Sequence, residues 1–230
     1  EIPLWARNRA PETFSLLTTR IAVAETSGDA STTKLIVELQ DGHRVEAVII
    51  RHLKGRRAEG KKGLGATLCI SSQVGCKMGC TFCATGTMGE LGNLTTGEIV
   101  EQVAHARRIE PRVRNIVFMG MGEPLMNYNN VLLAIEKITS KEGLAMSPKR
   151  IVVSTSGIPK MIKKMAEDGV KFNLAVSLHS AIDEIRTKIM PFNDNFPLSQ
   201  LREALIFWYS KTKRRITYEY VVWQGVNDSI

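Results

Sequence analysis

The chain has 230 residues, of which 43% are hydrophobic, so it is long and apolar enough to bury a sizeable core. No apolar run reaches the roughly 18 residues of a membrane span, and neither end resembles a signal peptide, which argues against membrane-embedded and secreted proteins. Lysine and arginine outnumber aspartate and glutamate by 31 to 23, giving a formal charge of +8. This surplus suits a polyanionic partner such as nucleic acid, but charge alone is equally compatible with other basic proteins.

The N-terminal part of the chain predicts a small β-hairpin element. Apolar and polar residues alternate over 34–40 and 44–51, and Asp41-Gly42 between them is a strong hairpin signal. A basic loop follows, comprising Arg51, His52, Lys54, Arg56, Arg57, Lys61 and Lys62. Such a loop is usually a solvated surface, but its place just ahead of the cysteines favours one that guides a substrate toward them. We expect an N-terminal element, 1–62, and a core, 63–230.

From residue 66 onward, short apolar strands alternate with helical patterns. Strands are predicted at 66–71, 115–121, 150–154, 172–178 and 216–223. A capping box at Thr95 and Glu98 opens a helix through about Arg108, and further helices are predicted at 129–138, 159–168 and 198–211. This alternation predicts an α/β fold, a partial (β/α) TIM-type barrel with functional residues at the C-terminal ends of its strands.

The four cysteines all lie between positions 69 and 83, which excludes a secreted disulfide scaffold and indicates a reducing compartment. Cys76, Cys80 and Cys83 have a C-x3-C-x2-C spacing in the loop after the first core strand. Three thiolates can bind three irons of a [4Fe–4S] cluster and leave the fourth iron open. The alternative is a zinc site completed by a histidine or by Cys69, although zinc sites favour C-x2-C pairs and a second pair is missing.

The cysteine spacing, with the aromatic Phe82 before the third cysteine, resembles the radical S-adenosylmethionine (SAM) superfamily. Within it, the chain resembles the RlmN/Cfr family of RNA adenine methyltransferases. The resemblance extends over about residues 34–230 and is carried by motifs at 67–76, 120–125, 154–157, 177–179, 219–221 and 226–228. It implies a [4Fe–4S] cluster held by the three cysteines, with SAM bound at the open iron.

The resemblance also implies cofactor-binding residues at the ends of the predicted strands: Gly122, Glu123, Ser154, Ser177, Leu178 and His179. The 120–123 segment is similar to the one that binds the methionyl amine, and the serines and the histidine suit the ribose and carboxylate of SAM. Taken alone, these residues have simpler interpretations. The glycine-rich segment would be a tight loop, the hydroxyls would cap the next helix and the histidine would lie in the core.

Two catalytic residues are implied by the resemblance alone. Glu46 matches the residue that removes a proton from the adenine carbon, although its alternation would also suit a solvent-exposed carboxylate. Cys69 matches the thiol that attacks a protein–RNA crosslink and releases the product with formation of a disulfide, although an isolated cysteine is most often a buried small hydrophobic residue. Its family partner is a methyl-carrying cysteine near the C-terminus, and the four cysteines of this chain all have other assignments.

The expected function is radical methyl transfer to C2 of an adenosine in large-subunit rRNA, with tRNA open as a second substrate. The alternatives are a C8 methyltransferase, a non-catalytic metal-stabilised RNA-binding module and a radical enzyme with a non-RNA substrate. We expect a monomer in the cytoplasm or an organelle, reduced by a donor such as flavodoxin or ferredoxin. Since the chain begins at Glu1 and lacks the distal cysteine, we also expect a piece of a longer enzyme that binds the cluster but does not methylate RNA alone.

Overall fold

The fold is described by a computed structural model that covers residues 3–5, 15, 17–52 and 65–228. Its centre is an eight-stranded sheet in the order β1-β2-β3-β4-β7-β8-β9-β10. These strands are β1 (Arg20–Thr26), β2 (Thr32–Glu38), β3 (Arg44–Arg51), β4 (Ala66–Ile70), β7 (Val113–Phe118), β8 (Ile151–Thr155), β9 (Asn173–Ser177) and β10 (Ile216–Glu219). A second, two-stranded sheet pairs β5 (Gln73–Gly75) with β6 (Glu90–Asn93).

Five α-helices accompany the sheet in the described part of the chain: α1 (Thr96–Ile109), α2 (Tyr128–Thr139), α3 (Pro159–Glu167), α4 (Asp183–Ile189) and α5 (Leu198–Thr212). The predicted capping box is present at the start of α1. The Thr95 hydroxyl accepts from the Glu98 amide, and the Glu98 carboxylate accepts from the Thr95 amide at 2.8 Å. None of the helices in the described residues is both long and apolar enough to span a bilayer.

The predicted β-hairpin is confirmed, because β2 and β3 pair antiparallel with Glu38 opposite Arg44. Strand β3 also pairs antiparallel with β4, where Val48 lies opposite Cys69, so the hairpin continues the sheet of the core. Strand β1, which was not predicted, pairs with β2. The basic loop from Lys54 onward and the expected boundary at 62 and 63 lie outside the described residues.

The five core strands are parallel neighbours, as predicted for an α/β fold. Side chains on one face of this sheet, such as Leu68, Phe118 and Leu174, are fully buried in the main hydrophobic core. On the other face, Cys69 and Ser177 are only half-buried. Because the C-terminal ends of parallel strands share one edge, the loops after these strands meet there and bring their polar residues together.

Candidate active site

The cysteine loop, residues 76–83, leaves β5 at the C-terminal edge of the core strands. Backbone hydrogen bonds fix it at both ends. The Cys76 amide donates to the Gly89 carbonyl at 2.7 Å, just before β6, and the Thr81 amide donates to the Ile189 carbonyl at 3.0 Å, at the end of α4. The small β5–β6 sheet and the end of α4 therefore position the loop.

The three thiols of the cysteine loop lie in one another's electrostatic field. Burial raises the pKa of Cys76, and burial together with the charges of Cys76 and Cys83 raises the pKa of Cys80 to about 12. Met78, Met190 and other apolar side chains pack against Cys76 and Cys80. All four cysteines of the chain are described, and each is half-buried and free.

The donor set of the cysteine loop fits a cluster better than a structural zinc ion. A structural zinc site requires four ligands around one ion, and the loop supplies three thiols. A [4Fe–4S] cluster instead takes one thiolate on each of several irons. The chemistry of Cys76, Cys80 and Cys83 therefore fits a cluster, and two of them, Cys76 and Cys80, pack against apolar side chains.

Glu123 joins the loops that follow β7 and β8. Its carboxylate is buried and accepts from the Leu125 amide at 3.0 Å, from the Ser156 amide at 2.8 Å and from the Ser156 hydroxyl at 2.7 Å. Burial raises the pKa of this carboxyl, and the bonds from Ser156 oppose the shift. Gly122 has φ of +96°, and a Cβ there would lie 2.5 Å from the side chain of Gln73. The loop thus needs glycine at this position.

A second carboxylate, Glu219 at the end of β10, links two of the predicted cofactor residues. One of its oxygens accepts from the Ser154 hydroxyl at 2.8 Å and from the Ser177 hydroxyl at 3.0 Å. The ends of β8, β9 and β10 therefore carry one polar cluster. Ser156 and Glu219 lay inside the recognised motifs but were not predicted as site residues. The predicted strand 216–223 placed Glu219 in its middle, whereas β10 ends at Glu219, so the sequence did not show that this carboxylate lies at a strand end.

His179 lies against the cysteine loop and has an unusual backbone, with φ of +55°. Its Nδ1 accepts from the Val221 amide at 3.1 Å, and its ring stands edge-on to Phe82 at 5.0 Å between centroids. Burial lowers the pKa of this imidazole, which favours the neutral ring at pH 7. The neighbouring Leu178 is half-buried, and its amide donates to the Glu219 carbonyl at 2.9 Å.

Glu46 and Cys69 share one face of the sheet. Val48 lies opposite Cys69, and Glu46 is two residues from Val48, so alternation places all three on the same side. The Glu46 carboxylate lies 2.7 Å from the Lys34 ammonium, and its side chain is 47% exposed. The structure thus places the two residues on one face of neighbouring strands, with Glu46 half-exposed rather than fully solvated.

Cys69 is expected to react slowly with alkylating agents at neutral pH. Burial raises the pKa of its thiol to about 11, and the thiolate is the reactive species. At pH 8 we expect iodoacetamide to modify Cys69 roughly a hundredfold more slowly than a free cysteine with a pKa near 8.5. Site-resolved mass spectrometry over pH 7–11 measures this. The urea-unfolded chain is the control, and a rate plateau near pH 8.5 in the folded chain would contradict the expectation.

Comparisons with known proteins agree with the motifs. The Radical SAM superfamily matches residues 70–229. The probable dual-specificity RNA methyltransferase RlmN of Flavobacterium johnsoniae is 54% identical over 228 residues, which are 96% of this chain and 62% of that protein. The RlmN of the same description from Akkermansia muciniphila is 45% identical over 230 residues, 99% of this chain and 63% of that protein.

A solved structure is also similar. The crystal structure of a radical SAM methyltransferase from Sphaerobacter thermophilus matches with a TM-score of 0.88 at 36% identity, covering 99% of this chain and 65% of that one. The chain thus spans about three fifths of the length of the curated relatives it matches. The resemblance to RlmN proteins that the motifs indicated is confirmed. Since the superfamily match covers well over half of the residues, including the cysteine loop, the chain belongs to the radical SAM superfamily.

Proposed function

We propose that this chain is the core of an RlmN-type RNA methyltransferase that methylates C2 of an adenosine in large-subunit rRNA, with tRNA as a second substrate. One observation carries the proposal. Three free thiols, two of them packed against apolar side chains, lie in the loop at the same strand edge as the Glu123 and Glu219 clusters. The names of the relatives, dual-specificity RNA methyltransferases, support RNA as the substrate.

In this proposal, Cys76, Cys80 and Cys83 would hold a [4Fe–4S] cluster. When bound and reduced, the cluster would supply the electron for the reductive cleavage of SAM to methionine and a 5′-deoxyadenosyl radical. The protein's part is to bind and orient SAM. Gly122 and Glu123 would lie at its amine. Ser154, Ser177, Leu178 and His179 would lie at its ribose and carboxylate, at the edge where their strands end.

The two remaining candidates act on the RNA in this proposal. Glu46 would accept the proton from the adenine carbon, for which its half-exposed carboxylate is accessible. Cys69 would attack the sulfur of a cysteine joined to the adenine through a methylene group. The S–S bond forms as the C–S bond breaks, and the electron pair left on the methylene carbon takes up a proton to give the methyl group. Both residues lie on one face of the sheet, so a single adenine could meet them in turn.

The setting of the reaction belongs to the same proposal. The charge of +8 favours a polyanionic substrate such as RNA. A low-potential donor such as flavodoxin or ferredoxin would reduce the cluster. The reducing compartment that free cysteines require suits the cytoplasm or an organelle. A monomer is expected, as is the participation of a methyl-carrying cysteine other than the four in this chain.

Anaerobic reconstitution with iron and sulfide tests the cofactor. We expect about four iron and four sulfide per chain and a reducible EPR signal that changes when SAM is added. Cys76→Ala should lose the signal, because one iron loses its ligand. Cys69→Ala is the matched control and should keep it, since Cys69 lies outside the cysteine loop. A colourless chain with one bound zinc would contradict the proposal and favour a metal-stabilised RNA-binding module.

The reaction itself is tested with the full-length enzyme and an rRNA fragment. Nuclease digestion and mass spectrometry of the product nucleosides should reveal 2-methyladenosine. The appearance of 8-methyladenosine would replace the C2 assignment with the C8 alternative. A reconstituted enzyme that cleaves SAM but leaves both rRNA and tRNA unmodified would contradict the proposal of an RNA substrate.

A further inference from the structure

Ser71 is a fully buried polar residue between two candidate functional groups. Its hydroxyl donates to the Glu46 carbonyl at 2.6 Å and accepts from the Met121 amide at 2.9 Å. One oxygen thus connects the strand that carries the proposed base to the loop that carries Gly122 and Glu123. No motif used to assign the function includes this pair of contacts.

The hydrogen bond from Ser71 to the Glu46 carbonyl lies just beyond the last residue pair of β3 and β4. Strands β3 and β4 pair from Arg51 opposite Ala66 to Val48 opposite Cys69. Two residues beyond this last pair, Glu46 faces Ser71, and the side-chain hydroxyl replaces the backbone donor of a regular ladder. The backbone of Glu46 is therefore tied to the core at the residue whose side chain would act on the substrate.

Ser71 is itself held by Gln102, a fully buried residue of α1. The Gln102 side-chain oxygen accepts from the Ser71 amide at 2.9 Å, and its nitrogen donates to the Ser71 carbonyl at 3.0 Å. An amide side chain here imitates a neighbouring strand and satisfies both backbone groups. Gly120 also lies directly against the Ser71 hydroxyl, since a Cβ on Gly120 would lie 2.7 Å from the Ser71 oxygen.

We propose that Ser71 and Gln102 are positioning residues that fix the Glu46 backbone relative to the 120–123 loop. The inference rests on the proposed function, in which Glu46 is the base and that loop binds SAM. Proton removal and methyl transfer both require the adenine to be placed correctly against the two groups. A displacement of about 1 Å can cost up to a hundredfold in rate. Loss of positioning should lower methylation alone, whereas loss of folding should lower both products of the reaction.

The test counts methylated adenosine and 5′-deoxyadenosine in the same reaction of the full-length enzyme. Ser71→Ala should lower the ratio of methylated product to 5′-deoxyadenosine about tenfold, through kcat and with KM for RNA unchanged. Ser71→Thr, which keeps the hydroxyl, should restore much of the ratio. Gln102→Met should lower the ratio, since the Ser71 amide and carbonyl both lose the side chain that they bond.

Tyr128→Phe is the matched control. It removes a buried hydroxyl that donates one hydrogen bond, to Asp168 at 2.6 Å, between α2 and the end of α3, away from Glu46 and the 120–123 loop. Its product ratio should equal that of the unmodified enzyme. The inference is wrong if Ser71→Ala keeps that ratio. It is also wrong if Ser71→Ala lowers both products in proportion, which is the result expected from destabilisation alone. An unmodified enzyme that gives 5′-deoxyadenosine and no methylated RNA instead contradicts the proposed function.

Hydrogen exchange tests, without any methyl transfer, whether Ser71 couples residues 45–48 to residues 120–123. In Ser71→Ala, the amides of residues 45–48 and of residues 120–123 should both exchange about tenfold faster, because the shared oxygen is gone. Ser71→Thr should protect both segments again, and Tyr128→Phe should change neither. Faster exchange in only one segment, or in neither, would overturn the coupling even if the RNA reaction were absent.

Discussion

Replacing Gly75 with alanine is expected to prevent the cysteine loop from forming, so that the chain incorporates at least tenfold less iron and sulfide. Gly75 precedes the first cysteine and has φ of +73°. A Cβ there would lie 2.0 Å from the Gly89 carbonyl oxygen, which is the acceptor for the Cys76 amide. The obstacle is backbone and cannot rotate away, so β5 and β6 must separate at this point. We expect a loss of about 3 kcal/mol in unfolding free energy.

Gly79→Ala provides the control within the same loop. Gly79 has φ of +65°, but a Cβ there would meet no atom within 4 Å. The variant carries the strain of a left-handed backbone, about 1 kcal/mol, without the clash, and should keep its cluster. Iron and sulfide analysis and thermal unfolding of both variants measure the difference. Equal losses would show that conformational strain, rather than the approach of Gly89, limits the loop.

Much of the fold could be predicted because its signals are local. The Asp41-Gly42 turn marks the β2–β3 hairpin, and the Thr95 capping box marks the start of α1. Strands β1, β5 and β6 were missed. Strand β1 depends on pairing with β2, and the other two are three and four residues long, too short for alternation to stand out. Helix α4 was missed because its seven residues are too few for helical periodicity to stand out.

In the candidate site, too, the residues with a local sequence signal could be predicted and those that depend on distant contacts could not. The cysteine loop could be predicted because its residues are close in sequence and their spacing has chemical meaning. The roles of Glu219, Gln102 and Ser71 could not, because each depends on a partner at least 25 residues away that the fold brings close. A carboxylate or amide side chain gives no sign in sequence of which distant group it will meet. The side chains that arrange the site are therefore found only in three dimensions.

Arg186 is the strongest example, and its replacement by methionine should cost about 3 kcal/mol of stability and at least tenfold in SAM affinity. The guanidinium is fully buried and donates to the carbonyls of Ser156, Ser177 and Leu178 and to the side chain of Asn193. Burial lowers its pKa to about 10, so it stays charged at pH 7. Methionine relieves the cost of burying the cation, and the Leu178 carbonyl still accepts from the Ser180 amide at 2.7 Å. The other three acceptors lose the Arg186 donor, each at a cost of roughly 1–3 kcal/mol that the relief offsets in part.

The loss should reach the site because Arg186 ties together the C-terminal ends of β8 and β9, where Ser154 and Ser177 lie and which His179 follows. Arg186→Lys keeps the charge but cannot span these acceptors. Its stability and SAM affinity should therefore fall between those of the unmodified chain and those of Arg186→Met. The control is Arg214→Met. Arg214 donates to the carbonyls of Val170 and Phe172, before the start of β9 and thus at the opposite end of the strand. Arg214→Met should lower the stability measured by urea unfolding. It should leave the SAM affinity unchanged, as measured by equilibrium dialysis on the reconstituted chain. If Arg186→Met lowers stability but binds SAM normally, the arginine supports the fold alone, and the geometry of the cofactor residues does not depend on it.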